Sequence, residues 1–262
     1  MKSMSIGVSS SCLYPMSPCD SLEIIGKLGV KVCEVFINSP SELTVGYAQK
    51  LNKIKNEYGM DILSVHPFTS FAETTMLFSE YKQRFFDMLE YYKTGFETAA
   101  ALGAEIFVIH GSKLPAKITH EEYFERFAMM IEEGKKFGIT VTPENVNNHL
   151  SENPEFMKAM RAYLGSEFKM VFDVKQANRA GFNPLAFAEE FAENIIHVHL
   201  SDHKEGFDCL PPSKGTFDFE KLFEIMKNAG YKGNYVIELY RHNYSEPEEL
   251  AQSMHYLEGL MK

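Results

Sequence analysis

Six short stretches of this chain each close an apolar run with a residue that can bind a metal or carry a proton. They are SVHP at His66, VIHG at His110, VTPEN at Glu144, FDVK at Asp173, HVHLSD at His199 and YVIEL at Glu238. Carboxylates and imidazoles are the ligands of divalent cations from Mg²⁺ to Zn²⁺. They are also the commonest general acids and bases. Each has a plain structural alternative: a histidine at a strand end can cap a turn, and an aspartate can orient a loop. Glu144 and Glu238 are harder to explain that way, because acids are rarely buried without a partner. Carboxylates brought together repel unless a cation sits among them. Their joint occurrence therefore points to a metal site. In IIHVHLSDH (195–203), alternation puts Ile195, His197, His199 and Ser201 on one face and Ile196, Val198 and Leu200 on the other. If the polar face looks inward, His199 is at the mouth and His197 one layer deeper, as a hydrogen-bonded structural residue. Asp202 and His203 then begin the loop above.

Such a convergence needs elements that end at one level. Eight apolar runs, at 5–11, 31–37, 61–67, 105–111, 139–145, 169–175, 195–201 and 235–241, alternate with helical patterns. Glycines follow many helices (Gly29, Gly59, Gly103, Gly138, Gly165, Gly230), as C-terminal caps do. Ser17-Pro18, Asn153-Pro154, Asn183-Pro184 and Glu246-Pro247 mark helix starts. Strands alternating with helices imply parallel βαβ units. No composition shift divides the chain, so we expect one α/β domain over 1–262, a (β/α)8 TIM barrel, whose strand ends meet at one mouth. An open doubly wound sheet is the alternative, but no GxGxxG follows the first strand. The 262 residues carry a net charge of −10, which disfavours nucleic acid as a partner. No apolar run approaches the roughly 18 residues of a membrane span. Cys12, Cys19, Cys33 and Cys209 form no CxxC pair, and the first residues lack a signal-peptide core, so a cytoplasmic protein with reduced thiols is expected.

At SVHP, VIHG, VTPEN, FDVKQA, HVHLSD, PPSKGTFDF and YVIEL the chain resembles the xylose isomerase-like barrel superfamily, which includes sugar isomerases and epimerases, inosose dehydratases and apurinic-site endonucleases. The resemblance implies that Glu144, Asp173, His199 and Glu238 hold one divalent cation, and three carboxylates with one imidazole suit Mn²⁺ or Mg²⁺, with Zn²⁺ or Co²⁺ admissible. It also implies that Glu144 and Glu238 are the catalytic acid and base, on opposite faces of a bound sugar. His66 and His110 would then bind substrate hydroxyls or a second cation. Two positions depart from the family pattern. Gln176 stands where a DxxH histidine is common; it can hydrogen-bond a substrate hydroxyl but is a poor metal ligand. Glu205 stands where epimerases often have arginine. Asp208-Cys209-Leu210 lacks the Asp-x-His pair of the endonucleases, so a three-metal phosphodiesterase site is incomplete. Lys214, in PPSKGT, either meets a substrate phosphate or is a solvated lysine in a turn. The expectation is a divalent-metal-dependent isomerase or epimerase of a small sugar, sugar phosphate or polyol ketone, acting through a metal-stabilised enediolate. An inosose dehydratase-like lyase, a phosphodiesterase and a non-catalytic sugar-binding barrel are the alternatives. The expected partner is a small carbohydrate, with neither nucleic acid nor membrane, and with a homo-oligomer left open.

Overall fold

In the computed structural model, which describes residues 4–261, the eight apolar runs become strands. These are β1 (Ile6–Ser9), β2 (Val32–Ile37), β3 (Asp61–Pro67), β4 (Ile106–Ile109), β5 (Thr140–Pro143), β6 (Met170–Asp173), β7 (Ile195–Leu200) and, after an inserted hairpin of β8 (Asp202–Lys204) and β9 (Phe207–Leu210), β10 (Tyr235–Ile237). The eight main strands are parallel and ordered β5-β4-β3-β2-β1-β10-β7-β6. A single parallel bridge from Glu144 to Val171 joins β5 to β6 and nearly closes the ring. The helices are α1 (Pro18–Lys27), α2 (Val45–Tyr58), α3 (Ser70–Met76), α4 (Lys82–Leu102), α5 (His120–Lys135), α6 (Pro154–Leu164), α7 (Val174–Arg179), α8 (Pro184–Phe191), α9 (Phe219–Asn228) and α10 (Glu248–Leu260). The expected (β/α)8 barrel is present.

The helix starts follow the local chemistry. The side chains of Ser17, Asn153 and Asn183 accept backbone N–H groups in the first turns of α1, α6 and α8, each with proline next in line. α2 and α4 end on Gly59 and Gly103 in the left-handed conformation. Strand parity then sorts the side chains. Val8, Val35, Val65, Phe107, Val141, Phe172, Val198 and Ile237 pack into the apolar layer under the helices. Val108, Val171 and Val236 are just as buried but stand apart from that layer, as residues inside the barrel must.

Three features differ from the sequence reading. Two short helices, α3 and α7, are added at the C-terminal ends of β3 and β6. Residues 174 and 175, read as the end of a strand, instead open α7, because the Asp173 side chain accepts the Gln176 N–H and caps a helix there. The loop after β7 is the β8–β9 hairpin, with Glu205 exposed in its turn. All four cysteines are free thiols. No helix among the described residues is long and apolar enough to cross a membrane.

Candidate active site

The lower layer of the site is built on Glu34, a fully buried carboxylate inside the barrel on β2. Ser9 Oγ donates to its Oε1 at 3.0 Å, and Ser64 Oγ donates to its Oε2 at 2.7 Å. His197 Nε2 and His199 Nε2 lie 3.2 and 3.1 Å from the same Oε2. Burial would raise this carboxyl, but the His199 and His197 imidazoles outweigh it and hold the group well below the usual carboxylate range. An ionised carboxylate only accepts, so the His199 Nε2 carries the hydrogen and Nδ1 faces the mouth. A carboxylate behind a ligand imidazole is the usual way to orient a metal-binding histidine.

At the mouth, His199 Nδ1 meets three acids at once. It lies 3.3 Å from Glu144 Oε1, 3.5 Å from Glu238 Oε2 and 3.8 Å from Asp173 Oδ2. One ligand atom from each of these four residues falls within 4.8 Å of the others. Burial opposes charge on the ring, yet the surrounding carboxylates of Glu34 and Glu238, then Asp173 and Glu144, hold the imidazole well above its ordinary pKa. The surrounding acids thus favour a positive charge on this ring. Burial likewise opposes ionisation of Glu144, but the imidazoles of His110, His199 and His66 keep it well below the usual range. Glu238 is held near 2, burial being outweighed by Lys175 and His199. Asp173 goes the other way: burial raises it in spite of Lys175.

His66 and His110 close the far side. Their Nε2 atoms are 2.8 Å apart and lie 3.5 and 3.0 Å from Glu144 Oε2. Neither is aligned to donate to that oxygen, so Glu144 Oε2 is buried with no hydrogen-bond partner among the described residues. Despite its burial, the Glu144 and Glu34 carboxylates raise His66 to about 9. His110 owes its aim to the next residue. Gly111 turns the chain at φ 89°, where a Cβ would stand 2.2 Å from the Tyr123 hydroxyl. Its N–H donates to Glu73 Oε2, which ties α3 to the end of β4.

A buried carboxylate oxygen without a donor, within a set of three acids and one imidazole, fits a divalent cation held by Glu144, Asp173, His199 and Glu238. Above this group a cavity of about 460 Å³ opens, in the size range of small-molecule sites. Glu144, Glu238, His66, His110 and Gln176 line its floor and side. Phe36, Phe68, Phe71, Tyr14 and Tyr240 form an aromatic wall. Gln176 Oε1 accepts the Asn147 N–H, which leaves the amide NH₂ as its donor toward a ligand.

Seven of the eight proposed side chains thus share one mouth, and Lys214 does not. Lys214 is exposed and lies outside the residues lining the cavity. The backbone N–H groups of its loop are also committed, since Ser213, Gly215 and Phe217 donate to the Asp202 carboxylate. Two site residues escaped the sequence reading. Glu34 could have been flagged as an acid in the middle of the apolar run VCEVFI. Lys175 could have been flagged as a lysine two residues after an aspartate ligand; its Nζ lies 2.6 Å from Asp173 Oδ2 and 2.9 Å from Glu238 Oε2.

The role of Glu34 is testable. A Glu34→Gln side chain would place an NH₂ where two imidazoles and a hydroxyl now meet an acceptor, and the His199 tautomer would no longer be set. We expect a roughly 10–100-fold loss of Mn²⁺ affinity, the range typical for an outer-shell partner of a metal ligand. Calorimetric titration of the folded variant checks this, and unchanged affinity would remove Glu34 from the site.

Fold and site together define a parallel α/β barrel with a carboxylate–imidazole mouth. The chain belongs to the xylose isomerase-like TIM barrel family, whose profile matches residues 22–260. It is similar to L-ribulose-5-phosphate 3-epimerase UlaE of Escherichia coli, with 36% identity over 70 residues. That match spans 26% of this chain and only 25% of the relative's length. Among solved structures, it superposes on a D-tagatose 3-epimerase-like protein with a TM-score of 0.80, at 22% identity and covering 98% and 97% of the two chains. It superposes on D-allulose 3-epimerase from Methylomonas sp. with a TM-score of 0.82, at 13% identity and covering 99% of each chain.

Proposed function

We propose that this chain is a divalent-metal-dependent epimerase or isomerase of a small sugar or polyol ketone. The observation that carries this reading is the meeting of Glu144 and Glu238 at one imidazole nitrogen beneath one cavity. They come from β5 and β10, which stand three positions apart around the ring, with β6 and β7 between them. Two ionised carboxylates reaching a substrate from separate directions suit removal of a carbon-bound proton on one side and its return on another. Return to the opposite face of the same carbon is epimerisation; return to the neighbouring carbon is isomerisation. The cation, with Mn²⁺ or Mg²⁺ favoured by the oxygen-rich donor set, would supply the Lewis acidity that stabilises an enediolate. Gln176, His66 and His110 hold substrate hydroxyls, and the aromatic wall packs on the carbon skeleton and keeps water from the reacting centre. Epimerase neighbours of the same fold support this reading.

An unphosphorylated substrate is favoured. Lys214 stands away from the cavity, and the amides beside it already hold Asp202. Lys175, the one lysine among the described residues that lines the cavity, is already paired with two carboxylates. The net charge of −10 argues against a DNA substrate. Four free thiols fit the reducing cytosol.

The test works whatever the product is. Ketoses, polyol ketones and their phosphates are incubated in D₂O with the protein and Mn²⁺ and followed by proton NMR. A free ketose or polyol ketone should lose a carbon-bound hydrogen signal as deuterium enters. No exchange in any of them, together with metal-dependent incision at an abasic site in DNA, would replace this reading with a phosphodiesterase.

A further inference from the structure

Lys175 is almost fully buried at the centre of this acidic group, which is an uncommon place for a lysine. Its position is set by the fold: Asp173 caps α7, and the first turn of that helix carries the side chain back over the mouth. Its ammonium binds the very oxygens a cation would need. Asp173 Oδ1 is occupied by the Gln176 N–H, leaving Oδ2 to face inward, and Lys175 Nζ holds Oδ2 at 2.6 Å. Glu238 Oε1 accepts from Ser11 Oγ at 3.4 Å, leaving Oε2 inward, and Lys175 Nζ holds Oε2 at 2.9 Å. These same two oxygens face His199 Nδ1. A divalent cation bound to them would therefore stand within a few ångströms of a buried ammonium, where repulsion is poorly screened. The side chain has room to leave, because Lys175 also lines the open cavity, with the Tyr240 ring centroid 5.5 Å from its Nζ.

We propose that Lys175 is a tethered counter-ion of the metal site: it holds Asp173 and Glu238 together while no metal is bound, and a divalent cation enters by displacing it. The proposal rests on the reading of Glu144, Asp173, His199 and Glu238 as a cation site. It makes metal binding an exchange of one positive charge for another, so affinity is lower than the four ligands alone would set. The opposite arrangement, in which the ammonium stays and steadies the carboxylates around the metal, predicts the opposite sign when the lysine is removed.

Full-length protein stripped with a chelator is titrated with Mn²⁺ by calorimetry, as wild type, Lys175→Met, Lys175→Gln and Asp173→Asn. Removing the competing charge should tighten binding by about tenfold or more in both lysine variants, and Asp173→Asn should weaken it. Equal or weaker binding in the lysine variants, with Asp173→Asn still weakened, overturns the counter-ion proposal and leaves the metal site standing. Absence of binding in every folded protein overturns both. Should the lysine variants fail to fold, wild-type crystals with and without Mn²⁺ decide the matter. Lys175 Nζ should leave hydrogen-bond distance of Asp173 Oδ2 and Glu238 Oε2 on loading; an ammonium that stays in place overturns the proposal.

Discussion

Replacing either Glu144 or Glu238 with glutamine is expected to lower turnover by roughly 10²–10⁴-fold, the range typical of a general acid or base. Glutamine keeps the size of the side chain and removes its capacity to accept a proton. Both carboxyls are held ionised in the folded protein, Glu144 by three imidazoles and Glu238 by Lys175 and His199, in each case against the effect of burial. The loss should therefore fall on kcat and persist when Mn²⁺ occupancy is matched to wild type. The two variants should differ in solvent exchange. The one lacking the base that removes the proton should show no deuterium uptake. The one lacking the group that returns it should still exchange hydrogen at the substrate carbon while forming little product. A variant that turns over normally at matched metal content would lose its assigned role, and equal exchange in both would argue against a division of labour.

Asp202→Ala should be among the most destabilising single substitutions in the chain. Asp202 follows strand β7, and its buried carboxylate accepts four backbone N–H groups: His203 at 2.9 Å, Ser213 at 3.1 Å, Gly215 at 2.8 Å and Phe217 at 3.0 Å. It takes up alternate amides of residues 213–217, while those of Lys214 and Thr216 go to the Pro211 and His203 carbonyls. Gly215 is required for the approach, since a Cβ there would stand 2.3 Å from Asp202 Oδ1. Truncation to alanine leaves several donors without an acceptor and should cost about 3–5 kcal/mol, because bonds to a charged group are stronger than average and orphaned donors add their own penalty. For a chain of this length that lowers Tm by roughly 10 °C. Thermal and urea unfolding followed by circular dichroism measure it. A loss below about 1 kcal/mol would mean that the loop finds other partners.

Both the barrel and its mouth were legible in the sequence, for different reasons. Strand parity follows from backbone geometry, so IIHVHLS already placed His197 and His199 on one face and the aliphatic side chains on the other. The strand-end position of His66, His110, Glu144, Asp173, His199 and Glu238 followed from where each apolar run stops. The Lys214 loop was the weak point. A proline–glycine turn with a lysine suits a phosphate as well as it suits solvent, and only the Asp202 carboxylate, which takes up its amides, separates the two.

What the sequence determined by itself is therefore periodic or local: eight strands, their inward faces, and the ionisable residue at the end of six of them. The tertiary structure decided how these charges are paired. Glu34 meets His197 across 163 residues of chain, and Lys175 meets Glu238 across 63. Neither pair leaves a trace in local spacing, because each exists only once the closing ring brings residues from non-adjacent βα units to within hydrogen-bond distance. The turn into α7 acts in the same way. Lys175 lies in the first turn of a helix capped by the Asp173 carboxylate, which accepts the Gln176 N–H, and that turn puts the ammonium among the acids.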